Sequence, residues 1–189
     1  MARALAEAGA KRVYLLGRRL DVLTGAAESI NLPSVKSVQC DVSSKESLES
    51  AVELVEAAEG YLDLLVCNAG IGGPQVRAPK ADTTLDEWRE QQLKVPMEEY
   101  GRTFQVNTTS VWYTTMAFLK LLDNGNEKGS LEQKSQNIVT SSIGGFNKKS
   151  PGGWAYGQSK AAVNHLVKQL SVTLMHWDIR WDSFFFAMV

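Results

Sequence analysis

Cysteine is scarce in this chain: Cys40 and Cys67 are the only two in 189 residues. Each closes an apolar run without metal-ligand company, which argues against a disulfide framework or a metal centre. Both fit buried free thiols in a reducing compartment, the cytoplasm being the simplest. An excess of charge of either sign is also missing. Twenty Lys and Arg stand against 21 Asp and Glu, for a net charge of -1. Nothing in that balance attracts nucleic acid or an anionic membrane, so a small molecule is the expected partner. No apolar run approaches the ~20 residues that span a bilayer, and Glu7 and Gly9 interrupt any apolar signal region behind Arg3. There is no internal repeat, and the length suits one domain rather than two.

Several features that invite a functional reading carry none. His165 and His176 have no cysteine or acid at ligand spacing and read as core or interface histidines. The aromatic cluster Trp177, Trp181, Phe184, Phe185 and Phe186 is too short for a membrane anchor and is interrupted by Asp178, Arg180 and Asp182. The acceptor pattern Asn107-Thr108-Thr109 falls inside an expected helix and reads as accidental.

What is present alternates between strand and helix patterns. Ala2 to Ala8 carries helix formers up to the stop at Gly9. Val13–Leu16 makes a short apolar strand, and a helix follows over about 21–30. Val35–Gln39 is a second strand. Ser44, Ser47, Glu46 and Glu49 suit a helix start, with Leu48, Val52 and Val55 at helical spacing to about Glu59. The apolar run Leu62–Val66 is the mark of a strand covered on both faces. Residues 71–96 read as loop around one short helix (84–92), 97–122 as one long helix, and 123–136 as an exposed polar insert. A strand over 137–141 and a helix over 155–177 follow. This alternation predicts an α/β fold with a parallel, doubly wound sheet of the Rossmann-like kind.

The last strand and helix hold the residues with most chemical promise. Tyr156 and Lys160 stand four apart, so they share one face of their helix. An ammonium beside a phenol favours the phenolate, which suits a tyrosine that must lose its proton near working pH. Ser142, arriving off the strand end, can polarise the carbonyl oxygen that Tyr156 would protonate. The chemistry implied is carbonyl/alcohol interconversion.

Order along the chain adds to this pair. Asn68-Ala69-Gly70 follows a strand, Asn107 lies in a helix, then come Ser141-Ser142-Ile143-Gly144-Gly145 and Tyr156-x-x-x-Lys160. Together these resemble the classical short-chain dehydrogenase/reductase family, from Met1 to about Arg180. The resemblance implies a one-step reduction by hydride from a nicotinamide cofactor, of the kind 3-oxoacyl reductases perform. Tyr156 would be the proton donor, Ser142 would orient the oxygen, and Lys160 would hold the nicotinamide ribose while lowering the tyrosine pKa. Asn107 would hold a water in a proton relay, although from its neighbours alone it reads equally as a satisfied core amide. Asn68, Ala69 and Gly70 would let the backbone pass close to the cofactor, with Cys67 replacing a family asparagine. At the end of the first strand, Gly17 stands where an acid would select NAD(H). Arg18, with Arg19 second, favours the 2′-phosphate of NADP(H), unless the pair is a solvated basic turn. Asp41 would meet the adenine ring, or else serves a turn in Asp-x-Ser-Ser.

Both ends depart from the family pattern. The sequence holds no Thr-Gly-x-x-x-Gly-x-Gly turn, on which the cofactor pyrophosphate normally rests. From Trp181 to Val189 it reads as a divergent tail in place of a strand and a substrate loop. The expectation is a partial domain derived from a complete reductase through altered splicing or gene prediction. The alternative is a non-catalytic fragment that keeps only the oligomerisation helices, 97–122 and 155–177, through which the family pairs. The loop 146–154 is expected to flank the substrate.

Overall fold

The computed structural model describes residues 1–75, 78–149 and 152–186, with Phe186 described by its backbone only. Parts of two sequence expectations fall outside: Ser150 and Pro151 of the substrate-flanking loop, and the final three residues of the tail. The chain forms two compact units, Met1–Ala58 and Glu59–Val189.

The first unit is helix α1 (Ala2–Glu7), strand β1 (Val13–Gly17), helix α2 (Leu20–Ile30), strand β2 (Val35–Gln39) and helix α3 (Lys45–Glu59). β1 and β2 pair in parallel, Val13 opposite Val35 through Gly17 opposite Gln39. The helical spacing read in α3 is what packs: Leu48, Ala51 and Val55 are buried, as are Val35, Val38 and Cys40. Parallel pairing requires a crossover, and the eleven residues of α2 supply it.

The second unit holds strands β3 (Leu64–Cys67), β4 (Gln136–Ser142) and β5 (Arg180–Phe186), parallel, with β4 in the middle. Between β3 and β4 run helix α4 (Leu85–Leu93), helix α5 (Met97–Phe104), a π-helical turn (Gln105–Thr109) and helix α6 (Ser110–Lys128). Helix α7 (Trp154–Thr173) links β4 to β5 through a short 3-10 turn and packs on both strands. The core gathers Val111, Phe118, Leu121 and Leu122 from α6, Val139 from β4 and Val163, Val167 and Leu170 from α7. α4 opens with a capping box: the Glu87 amide donates to Thr84 Oγ1, and the Thr84 amide to Glu87 Oε2 at 2.8 Å.

Three sequence expectations are corrected here. The single helix over 97–122 is broken by the π-helical turn at Asn107, an insertion of a kind that often marks a functional site. The insert after Asp123 is not loop throughout, because α6 continues to Lys128 and ends on Gly129 in the left-handed conformation. Gly125 belongs inside that helix for a tertiary reason: a Cβ there would lie 2.3 Å from the carbonyl oxygen of Leu62. Third, the tail is not foreign to the fold, since Arg180–Phe186 adds a strand with Trp181 buried in the core. Of the two readings for the histidines, the core one is corrected, as His165 and His176 are both exposed.

Among the described residues no helix is long and apolar enough to cross a membrane.

Candidate active site

The site is assembled within the second unit, at the C-terminal ends of β3 and β4, where ligands of open parallel sheets bind. Asn68, Ala69 and Gly70 leave the end of β3 as exposed backbone. The Asn68 side chain joins the two strand ends, its Oδ1 accepting from Thr140 Oγ1 at 2.8 Å.

Lys160 comes up from α7 beneath these ends. Only 5% of its surface is exposed, and its Nζ donates to the Thr140 carbonyl at 2.8 Å. Burial disfavours the ammonium and pulls the Lys160 pKa below the ordinary lysine value. Nζ lies 5.8 Å from the centroid of the Tyr156 ring, so helical spacing does bring the pair together. Asn107 and Lys160 meet at Gly70: a Cβ on Gly70 would lie 3.3 Å from Asn107 Oδ1 and 3.7 Å from Lys160 Nζ.

Asn107 is 1% exposed, and its side chain acts as a clamp. Its Oδ1 accepts from the Ile71 amide at 2.8 Å, while Nδ2 donates to the Ile71 carbonyl at 2.9 Å and to Ser159 Oγ at 3.0 Å. Both amide hydrogens are therefore committed to protein, as the satisfied-amide reading expected. Ser159 carries the connection onward by donating to the Tyr156 carbonyl at 2.8 Å, and Thr108 Oγ1 donates to the Ser159 carbonyl at 2.9 Å.

Ser142 ends β4 and caps the 3-10 turn Ile143–Gly145, its Oγ accepting from the Gly144 amide at 3.0 Å. A Cβ on Gly144 would lie 3.3 Å from Ser142 Oγ and 3.4 Å from Tyr156 Cε1. The serine hydroxyl and the edge of the tyrosine ring thus converge over one glycine. Ser141 faces the other way, buried and donating to Asn164 Oδ1. Cys67 is buried, its thiol directed at Asn137 Oδ1 3.6 Å away, and burial pushes its pKa up to about 12.

Arg18 and Asp41 belong to the first unit. Arg18 is exposed. Asp41 Oδ1 accepts from the amide and hydroxyl of Ser43 at 2.9 and 2.6 Å, forming the turn that was one of its two readings. Sequence reasoning missed Ser159, Thr140 and Thr108. The signal for Ser159 was its place between Tyr156 and Lys160, and only the fold shows what it touches.

Comparison with known proteins identifies the family. The family model described as short chain dehydrogenase matches residues 1–188. PhomF, a short-chain dehydrogenase/reductase of Diaporthe leptostromiformis, is 41% identical over 181 residues, which are 95% of this chain and 61% of PhomF. SAT3, a short-chain dehydrogenase/reductase of Stachybotrys chartarum, is 41% identical over 197 residues, covering 95% of this chain and 71% of SAT3. The chain thus spans about three-fifths of the length of PhomF. Among solved structures, the 3-ketoacyl-(acyl-carrier-protein) reductase of Brucella melitensis, complexed with NADH, superposes with a TM-score of 0.81 at 25% identity, covering 98% of this chain and 68% of that one. An alcohol dehydrogenase of Thermococcus sibiricus, complexed with 5-hydroxy-NADP, gives 0.72 at 27% identity, with 98% and 67% covered. With its fold, the order of its motifs and the match over nearly its whole length in agreement, the chain belongs to the short-chain dehydrogenase/reductase family.

Proposed function

We infer that the chain is an NADP(H)-dependent oxidoreductase that reduces a carbonyl or oxidises the corresponding alcohol, and that residues 1–189 form one partial dinucleotide-binding domain. The observation that carries this reading is the convergence of a buried ammonium, Lys160, and a hydroxyl, Ser142, on the ring of Tyr156. A buried lysine at hydrogen-bond distance from a strand-end carbonyl is held in place, so its charge is fixed relative to the phenol.

The residues fit a nicotinamide cofactor at its reactive end. Lys160 has one N–H on Thr140 and further donors suited to ribose hydroxyls, and Asn68, Ala69 and Gly70 offer exposed backbone beside it. Arg18, exposed after Gly17, supports NADP(H) over NAD(H) through its fit to a 2′-phosphate. Asp41 holds the turn beyond β2 at which the resemblance places the adenine ring. The glycine turn on which the pyrophosphate normally rests is absent from this sequence. When bound, the cofactor supplies the hydride. Tyr156 gives its proton to the substrate oxygen, Ser142, oriented by the Gly144 amide, donates to the same oxygen, and Lys160 favours the phenolate left behind. Asn107 keeps Ile71 and Ser159 in register under this group.

The likeness to a 3-ketoacyl reductase supports a 3-oxo carbonyl as substrate. Exposed Trp112, Tyr113 and Val172 support pairing of copies through helices α5 to α7. Two buried free thiols support a reducing compartment, the cytoplasm. NADPH titration followed by nicotinamide fluorescence tests the cofactor reading. Saturable binding, weakened by Arg18→Ala and weaker for NADH, is expected; a folded chain that binds neither cofactor favours the non-catalytic pairing reading.

A further inference from the structure

A cleft of about 270 Å³ lies between α4, α5 and the first turn of α7. On α7 its wall is Trp154, Ala155 and Gln158; Trp154 lies two residues before Tyr156, and Gln158 two before Lys160. At about 100° per residue, the two pairs point to roughly opposite sides of the helix. The cleft is therefore separate from the face that carries the catalytic pair.

Its lining is specific in character. Trp88 and Gln92 stand one turn apart on α4, and Tyr100 comes from α5, so three aromatic side chains with Val95 make an apolar enclosure. Among the described residues no charged side chain lines it, which favours a neutral ligand. Two amides supply the polarity. Tyr100 Oη donates to Gln158 Oε1 at 2.8 Å, so the nitrogen is the end of that amide left to donate. The Gln92 Nε2 is buried and has no hydrogen-bond partner in the described structure. A buried donor without an acceptor costs ~1–3 kcal/mol, and a ligand oxygen would recover that. Flat apolar walls, no charge among the described lining residues and an unpartnered amide donor select for one kind of molecule.

We propose that this cleft is a second small-molecule site, which binds a neutral, planar ring compound bearing a carbonyl acceptor. Gln92 donates to the carbonyl, and Trp88, Tyr100 and Trp154 enclose the ring.

The test titrates the ¹⁵N-labelled chain with 1-tetralone and with tetralin, which has the same rings and no carbonyl. The Gln92 side-chain amide, assigned through Gln92→Met, and the Trp154 indole N–H are expected to shift saturably with 1-tetralone. Tetralin is expected to bind about tenfold more weakly, the effect of one unmade hydrogen bond. Gln92→Met, checked as folded by its remaining resonances, should bring the two affinities together; Gln158→Met serves as the second variant. Tyr156→Phe should leave the titration unchanged, so this outcome does not depend on the redox reading. No saturable shift, equal affinity for both compounds in the unaltered chain, or loss of the shifts in Tyr156→Phe would overturn the proposal. So would Gln92 resonances that move with protein concentration instead of with 1-tetralone, since a second copy would then fill the cleft.

Discussion

The Ser142 hydroxyl and the Tyr156 ring meet over the Cα of Gly144, where a single added methyl would lie 3.3 Å from one and 3.4 Å from the other. Gly144→Ala is therefore expected to push the two groups apart while leaving the sheet intact. A displacement of this kind costs up to about 10²-fold in turnover. Steady-state kinetics beside circular dichroism checks it; a Gly144→Ala enzyme with unchanged kcat would show that the convergence is incidental.

Asn107 clamps both backbone groups of Ile71 and reaches Ser159. Asn107→Ala leaves the amide and carbonyl of half-buried Ile71 without their partner, at about 1–3 kcal/mol each before relaxation and access of water. Urea unfolding should register a loss of about 2–4 kcal/mol. A loss below about 0.5 kcal/mol would place the clamp among interactions that water replaces.

Burial lowers the Lys160 pKa. The unfolded chain thus binds the proton more tightly than the native one. Between the native Lys160 pKa and the ordinary lysine value of 10.5, the unfolded state carries more protons, so this residue's contribution to stability rises with pH. Below that window the penalty of the buried ammonium is fully present. Comparing Lys160→Met with the unaltered chain across the window should show the unaltered chain gaining on the variant as pH rises. A difference that does not change with pH would contradict it.

The Cys67 thiol, pushed up to about 12 by burial from an ordinary 9.0, has the opposite sign. Above pH 9.0 the unfolded state loses this proton first, so Cys67 withdraws stability as pH rises toward 12. At pH 8 the thiol is neutral and enclosed, and alkylation of Cys67 is expected to proceed no faster than global unfolding. Mass spectrometry of iodoacetamide-treated chain resolves this. Labelling of Cys67 ahead of unfolding would show that the enclosure opens.

Much of the site could be read from the sequence because its geometry is local. Tyr156 and Lys160 meet through one helical turn, and Ser142 is fixed by the turn that follows it. What could not be read depends on distant chain segments. Gly125 looks like a loop residue until α6 is seen to cross Leu62. Ser159 looks like any helix serine until Asn107 reaches it across 52 positions. The strand at Arg180–Phe186 was hidden for another reason. Trp181 and the phenylalanines after it have strong strand preference, but their departure from the family pattern outweighed that local signal. The π-helical turn at Asn107 has no sequence mark distinct from an ordinary helix.

The central claim is that Tyr156 delivers the proton in an NADPH-dependent carbonyl reduction. The direct measurement is NADPH oxidation by the purified chain with a panel of 3-oxo esters and aryl ketones, run beside Tyr156→Phe with matched circular dichroism. Turnover of at least one carbonyl, reduced about 10²- to 10⁴-fold in the variant, is the expected result. Equal rates in the two proteins, or no turnover by a chain that binds NADPH, would contradict the account.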